Sequence, residues 1–198
     1  MSKARIAKVI FIFLAILCGT AFFAKDLVPN LKLILAPPSF EHWLGCDAYG
    51  FDLFARIQKG ALYTLIISTV VTLLSLIIGL FLGTLAAYSG KIAQSALLRL
   101  FDCFLAFPGF LLAILVATIL PNGELTLIVA LSLGNWPSRA RFIYARNREI
   151  LNLPHIEAAQ AAGAHSWRIF YKHIFPHLYG QLAIQAALSM SSVILHEA

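Results

Sequence analysis

One uncharged run limits the environments in which this chain can fold. Residues 61–88 contain no Asp, Glu, Lys or Arg. A helix rises about 1.5 Å per residue, and roughly 20 apolar residues cross the hydrocarbon core of a bilayer. The run is therefore long enough to span a membrane, where a helix satisfies its own backbone hydrogen bonds.

The composition agrees with a lipid environment. Hydrophobic residues make up 60% of the 198 residues and charged residues only 12%, whereas soluble domains average about 45–50% and 25%. The net charge is +6, but the basic residues flank apolar runs, which favours a role in membrane topology over nucleic-acid binding. The cysteines at 18, 46 and 103 are far apart, so neither a disulfide framework nor a metal site is expected.

Five membrane spans are predicted, and the fold class is an all-α polytopic transmembrane bundle. The spans cover residues 9–24, 61–88, 103–120, 125–138 and 178–195. The first follows basic residues, a pattern also typical of a signal peptide, but it lacks a clear small-residue cleavage site. We divide the chain into residues 1–60, a first helix with an external segment, and residues 61–198, the main transmembrane domain.

Prolines punctuate this pattern. Pro108 predicts a kink near the start of the third span, and the sequence Pro121-Asn122-Gly123 predicts a turn. The fourth span is short, and Pro137 ends or bends it unless its helix continues past Arg139.

Basic residues orient the chain. With the N-terminus in the cytoplasm, residues 1–8, 89–100 and 139–177 are cytoplasmic and hold eleven of the fifteen Lys and Arg residues. Because cytoplasmic loops carry an excess of positive charge, this topology is favoured. It places the long loop at 139–177 inside the cell.

That loop contains a helix–bend–helix pattern. Pro154 suits the first turn of a helix, Glu157 lies near its N-terminal end, and alanines follow. Gly163 can adopt the left-handed conformation that ends a helix. A second amphipathic stretch runs from residue 165 to 174, and Phe175-Pro176 should close it. We predict two short helices joined by a sharp bend at Gly163.

Alone, this pattern also fits an ordinary helical hairpin at the membrane surface, but its residues resemble the EAA loop of binding-protein-dependent ABC importer permeases. Glu157-Ala158-Ala159 is followed by Gly163 and then by Ile174-Phe175-Pro176, where the family usually has Leu before the proline. The resemblance implies that Glu157, Ala158, Ala159 and Gly163 dock in a groove on a cytoplasmic ATPase and transmit its movement.

Further segments resemble the dipeptide, oligopeptide and nickel branch of that family. Residues 44–52, read with Arg56, look like the segment before its second helix, although Cys46 stands where Thr is usual and Phe51 where Arg is usual. Residues 102–108 and 136–141 also match. The resemblance covers most of residues 43–198, and it implies a peptide importer permease of the bacterial inner membrane, with a nickel importer as the alternative.

The resemblance also implies partners. They are a second permease subunit, cytoplasmic ABC ATPases that bind ATP and magnesium, and an external solute-binding protein, with no nucleic acid. The chain has no GxxxxGK[ST] motif, so ATP hydrolysis is expected on a partner, and no cofactor or catalytic residue on this chain. An ATP-independent channel or a membrane enzyme is the alternative of another class. Family members usually add a helix after the pair that resembles Glu197-Ala198, so the chain is expected to be truncated.

Two stripes of small and polar residues follow helical spacing. On the second span they are Thr64, Ser68, Thr72, Ser75, Gly79 and Gly83, and on the fifth they are Gln181, Gln185, Ser189 and Ser192. The first stripe indicates close helix packing or a pathway lining, and the second indicates a pathway lining or interhelical hydrogen bonds.

Other polar residues have simpler interpretations. Four histidines surround the loop, at 155, 165, 173 and 177. They do not fall on one helix face, so we interpret them as solvated or interfacial and expect no metal site. Asp102 lies near Arg99, and an ion pair is expected there.

Overall fold

The computed structural model describes residues 28–197, with side chains as far as Leu195. The predicted first span, residues 9–24, lies outside the described residues. Residues 28–197 contain one isolated antiparallel bridge, between Cys46 and Asp52, and no strand, and the predicted all-α class is confirmed.

The helices are α1 (Leu53–Tyr88), α2 (Lys91–Leu105), α3 (Gly109–Ile119), α4 (Glu124–Leu151), α5 (Pro154–Ala161), α6 (Ser166–Ile169) and α7 (Phe175–Glu197). A short 3-10 helix, Leu31–Leu33, precedes α1, and a π-helical turn, Phe170–Ile174, joins α6 to α7.

Within residues 28–197, two helical stretches are long and apolar enough to cross a membrane. They are Leu53–Tyr88 and the continuous stretch Ser166–Leu195, which contain the predicted second and fifth spans. The pair α2 and α3 forms a third only if the two helices together make one broken span. The predicted fourth span lies in α4, which falls outside this class because Arg139 and Arg141 closely follow its apolar part.

The third span is broken rather than kinked. Helix α2 ends at Leu105 and α3 begins at Gly109, and their axes are bent by 82°. Pro108 occupies the N-cap position of α3, where its missing N–H removes no helical hydrogen bond. The predicted turn between Pro121 and Gly123 is confirmed, since α3 ends at Ile119 and α4 begins at Glu124.

Two other prolines lie inside helical stretches. Helix α4 continues through Pro137 to Leu151. This is the predicted alternative in which the helix of the fourth span continues past Arg139. The expectation that Phe175-Pro176 closes the second loop helix is wrong, because the helix runs on from Ser166 into α7. A π turn precedes Pro176, and the Phe175 N–H donates five residues back to the Phe170 carbonyl. This wider turn accommodates a proline without ending the helix.

The described residues form two compact units that divide within α1, between Ile66 and Ile67. In the first unit, Asp52 caps α1 by accepting hydrogen bonds from the N–H groups of Phe54 at 2.9 Å and Ala55 at 3.2 Å. His42 Nδ1 donates to its other oxygen at 2.8 Å. Partial burial raises the pKa of Asp52, but these hydrogen bonds outweigh it, so the pKa lies below its usual value.

A second carboxylate fixes the turn that precedes Asp52. Asp47 accepts hydrogen bonds from the N–H groups of Phe51 at 3.0 Å and Tyr49 at 2.8 Å, and it pairs with Arg56. The Phe51 hydrogen bond is the largest cause of its lowered pKa. Phe51, which stands where the resembling family has Arg, places its ring 5.9 Å from the Arg56 guanidinium carbon.

In the second unit, α4 is the central element. Trp136 lies edge-on to Phe101 and Phe104 of α2, with ring centroids 5.7 and 5.1 Å away. Arg141 of α4 forms an ion pair with Asp102. The expected ion pair of Asp102 with Arg99 is therefore replaced by a pair with Arg141, which comes near only through the packing of α4 against α2.

Candidate functional site

The EAA segment, which we define as residues 154–164, forms a short helix and a sharp bend. Pro154 occupies the first turn of α5. Glu157 and Ala158 are exposed, and Ala159 is half-buried. The outer side of α5 therefore presents a carboxylate and a methyl group.

Gly163 ends this helix in the predicted way. Its φ is +80°, in the left-handed region that favours glycine. Its N–H donates to the Gln160 carbonyl at 2.9 Å, and the Ala164 N–H donates to the Ala159 carbonyl at 3.0 Å. This pair of hydrogen bonds is a Schellman motif, which satisfies carbonyls that a helix end leaves free.

Ile156 anchors α5 to the rest of the second unit. Its side chain is fully buried. It belongs to an apolar cluster that also contains Ile143, Ile150, Ile169, Ile174 and Leu178. Sequence reasoning missed this residue, although one large aliphatic side chain among alanines was a usable signal. The cluster therefore places α5 in contact with residues of both α4 and α7.

Two cavities flank the EAA segment. One, of about 370 Å³, is lined on one side by Glu157 and Gln160 and on the other by Tyr88 and Arg148. The other, of about 280 Å³, is lined by Ala159 and Gly163 together with basic side chains of the following helix, Arg168, Lys172 and His173.

Three histidines meet beside this segment, which the sequence did not predict. The ring centroid of His155 lies 6.0 Å from that of His173 and 6.5 Å from that of His177. The His177 Nδ1 atom lies 2.8 Å from the His173 carbonyl oxygen. His165 is placed elsewhere, as the N-cap of α6, where its ring accepts from the Trp167 N–H. Chain folding at Gly163, rather than helical spacing, creates the group of three.

The glycines of the α1 stripe contact α4 closely. A Cβ at position 79 would lie 2.8 Å from the Arg139 Cβ, and one at position 83 would lie 2.5 Å from the Ala140 carbonyl oxygen. Within the stripe, Ser68, Thr72 and Ser75 are buried, and Thr64, in the first unit, is half-buried. These positions hold helices at close range, and a role in lining a pathway stays a prediction.

The α7 stripe is only partly buried. Ser189 is buried, whereas Gln181, Gln185 and Ser192 are half-buried. The Gln181 Oε1 atom is buried, and no described residue forms a hydrogen bond with it.

The two stripes meet where Thr72 of α1 faces Ser189 of α7. Their hydroxyl oxygens are 3.3 Å apart. The guanidinium of Arg139, from α4, donates to the same Ser189 hydroxyl. The sequence assigned Thr72 and Ser189 to the two stripes but did not assign Arg139 to either. Arg139 and Ser189 are far apart along the chain, so the sequence gave no sign of their contact.

Comparison with known proteins identifies the family. Residues 75–198 match the model of the binding-protein-dependent transport system inner membrane component. The chain belongs to this family. The matched region contains the EAA segment and α7, and the protein is therefore an all-α membrane protein of the bacterial inner membrane.

Curated relatives are peptide-transport permeases. The chain is 31% identical to the oligopeptide transport system permease protein OppC of Bacillus subtilis, over 85% of this chain and 55% of that protein. It is 31% identical to the glutathione transport system permease protein GsiD of Pectobacterium atrosepticum, over 93% and 64%. It is 32% identical to the di/tripeptide transport system permease protein DppC of Pseudomonas aeruginosa, over 100% and 68%. The chain thus spans little more than half to about two thirds of the length of these relatives.

Proposed function

We propose that this chain is a membrane-spanning permease subunit of an ATP-driven peptide importer. The anchored EAA segment is the observation that carries the proposal: Glu157 and Ala158 are exposed, while Ile156 is fully buried. Peptide-transport relatives support peptides as the solute, and no relative described above favours nickel. The proposed partners are a second permease, cytoplasmic ATPases that bind ATP with magnesium, and an external solute-binding protein.

The proposed mechanism follows from how α5 is held. Closure of the ATPase pair on ATP would push the exposed side of α5. Burial of a side chain such as Ile156 is worth about 1.5–3 kcal/mol, so α5 would move together with the cluster it contacts. The cluster includes Ile143 of α4 and Leu178 of α7. The outward-facing and inward-facing states would differ in these contacts. Such a difference is necessary if ATP binding is to favour one state over the other.

A cysteine at Ala158 tests this function. We would introduce Ala158→Cys in a chain lacking the three native cysteines, and crosslink it to the co-expressed ATPase with and without ATP. We expect a crosslink whose yield changes with ATP, because Ala158 is exposed on the side of α5 that faces away from the bundle.

Ala117→Cys is the matched control, since Ala117 is also exposed but lies on α3. It should give no crosslink to the ATPase. Equal crosslinking at both positions, or none at position 158 in an assembled complex, would contradict the docking role. Uptake that is insensitive to ATP depletion would favour an ATP-independent channel instead.

A further inference from the structure

Within the part of the chain that the structure describes, Arg139 is a buried cation with no carboxylate paired to it. Arg139 is buried, with only 5% of its surface exposed. Its guanidinium donates to the Asn135 carbonyl and the Ser189 hydroxyl. Its Nε finds no hydrogen-bond partner among the described residues. Among the residues whose side chains the structure describes, no carboxylate forms an ion pair with it.

Arg139, which the sequence assigned to the start of the cytoplasmic loop at 139–177, instead packs between the apolar stretches of α1 and α7. Its partner Ser189 is inside the predicted fifth span and faces Thr72, near the middle of α1. Burial of an unpaired ion in such surroundings is unfavourable, and charged residues inside membrane bundles commonly mark sites where a substrate or ion binds.

A cavity lies beside Asn135, which is one helical turn before Arg139 on α4. It has a volume of about 190 Å³ and is lined by Asn135, Gly134 and Leu131 of α4 and by Gly109 and Phe110 of α3. Asn135 both lines the cavity and provides the carbonyl that holds Arg139. The guanidinium and the cavity are thus linked through one residue.

We propose that Arg139 binds the carboxylate of the transported solute when α7 moves away from α4. This proposal rests on the peptide-import function proposed above. A peptide carries a terminal carboxylate at neutral pH. The carboxylate would replace the weaker Ser189 hydroxyl as acceptor and would also engage Nε, forming the two parallel hydrogen bonds that guanidinium–carboxylate pairs favour.

The test compares a peptide acid with its amide. In the complete importer, we would measure ATP-dependent uptake of dialanine and of dialanine amide for the wild type, Arg139→Gln and Arg139→Lys. The ratio of acid to amide uptake does not depend on how much complex folds. Selection by the solute-binding protein is the same in each variant and cancels from the comparison. Arg141→Gln, at an exposed arginine of the same helix, is the matched control.

We expect Arg139→Gln to lower the acid-to-amide ratio about tenfold or more, as loss of a charge-assisted hydrogen bond would. Arg139→Lys should give an acid-to-amide ratio between those of the wild type and Arg139→Gln, and it should import more acid than Arg139→Gln. Arg141→Gln should leave the ratio unchanged. If both Arg139 variants lower acid and amide uptake by one common factor, Arg139 acts only in helix packing and the proposal fails. If the wild-type complex imports neither peptide, the peptide-import function fails as well, and both proposals are overturned.

Discussion

Side-chain size decides where α1 and α4 can touch. At Gly83, the nearest atoms belong to Ala140 and Ile143 of α4, and the space available is smaller than a methyl group requires. Close backbone approach of this kind is a common basis of helix association in membranes. Lipid tails are as apolar as the helices, so the hydrophobic effect does not drive helices together there, and close packing does.

Gly83→Ala should therefore destabilise the protein. Its Cβ would lie 2.5 Å from the Ala140 carbonyl oxygen, and overpacking of this kind costs about 1–3 kcal/mol. Thermal unfolding in detergent measures the effect. Gly180→Ala is a control that should stabilise the protein. Apart from its own helix backbone, no described atom lies within 4 Å of its Cβ position, and alanine is better than glycine in a helix interior by about 0.5–1 kcal/mol. Equal melting temperatures for both variants would contradict the packing argument.

Asp52 should make the segment before α1 sensitive to acid. Its pKa is lowered in the folded chain, so its stabilising effect is present above the unfolded value of about 3.9 and is lost as the pH falls through the folded pKa. Asp47, whose pKa is also lowered, adds to the same trend. Protease protection of residues 28–52 should consequently decrease below about pH 4.

Two substitutions separate capping from charge at this position. Asp52→Ala removes the cap of α1 and should cost about 0.5–2 kcal/mol at pH 7, whereas Asp52→Asn keeps a good cap. The Asn variant should show a weaker pH dependence of protease protection than the wild type. An unchanged pH profile in that variant would mean that Asp52 is not the responsible group.

At the scale of elements, three prolines in similar apolar runs have different effects. Pro108 separates α2 from α3, Pro137 lies within α4, and Pro176 lies near the start of α7 after a π turn. A proline removes one donor, and the helix continues only where neighbouring groups or a wider turn accommodate the carbonyl that is freed. The surrounding tertiary structure, rather than the proline itself, decides between the outcomes.

The position of α5 should depend on Ile156. Replacing this fully buried side chain by alanine removes the only α5 side chain in the cluster of buried residues described above, at a cost of about 2–5 kcal/mol. We expect Ile156→Ala to lower peptide uptake more than ATP hydrolysis, because α5 would dock but no longer move with α4 and α7. Parallel assays on one reconstituted complex measure both rates.

Ile92→Ala is the matched control for this experiment. Ile92 lies on α2 and is 90% exposed, so the same change in size should leave the ratio of uptake to hydrolysis unaltered. A similar fall in that ratio for both variants would show that Ile156 has no special role in coupling.

At the scale of the whole molecule, topology follows from charge. We predict that residues 89–100 are cytoplasmic and that the segment before α1 is external. In a variant without native cysteines, Glu41→Cys should react with a membrane-impermeant maleimide on intact spheroplasts. Ser95→Cys should react only after permeabilisation. Both positions are exposed, so access to the reagent reports the side of the membrane. The reverse labelling pattern would invert the topology and remove the EAA segment from the cytoplasm.

The sequence predicted those features that depend on local periodicity and on single special residues. The apolar runs of α1 and α7 indicated membrane helices, because the span length is a property of the run itself. Gly163 indicated the bend after α5, because its left-handed φ is a local requirement. The EAA residues were identified from their pattern, although their role in coupling stays a prediction.

Tertiary structure alone decided the contacts between distant parts of the chain. Asp102 pairs with Arg141 rather than with Arg99, three histidines meet beside α5, and Ile156 is buried against α4 and α7. The continuation of the helix through Pro176 belongs to this class too. Helical spacing states which residues share a face, but the packing of that face against another helix depends on the summed fit of many side chains.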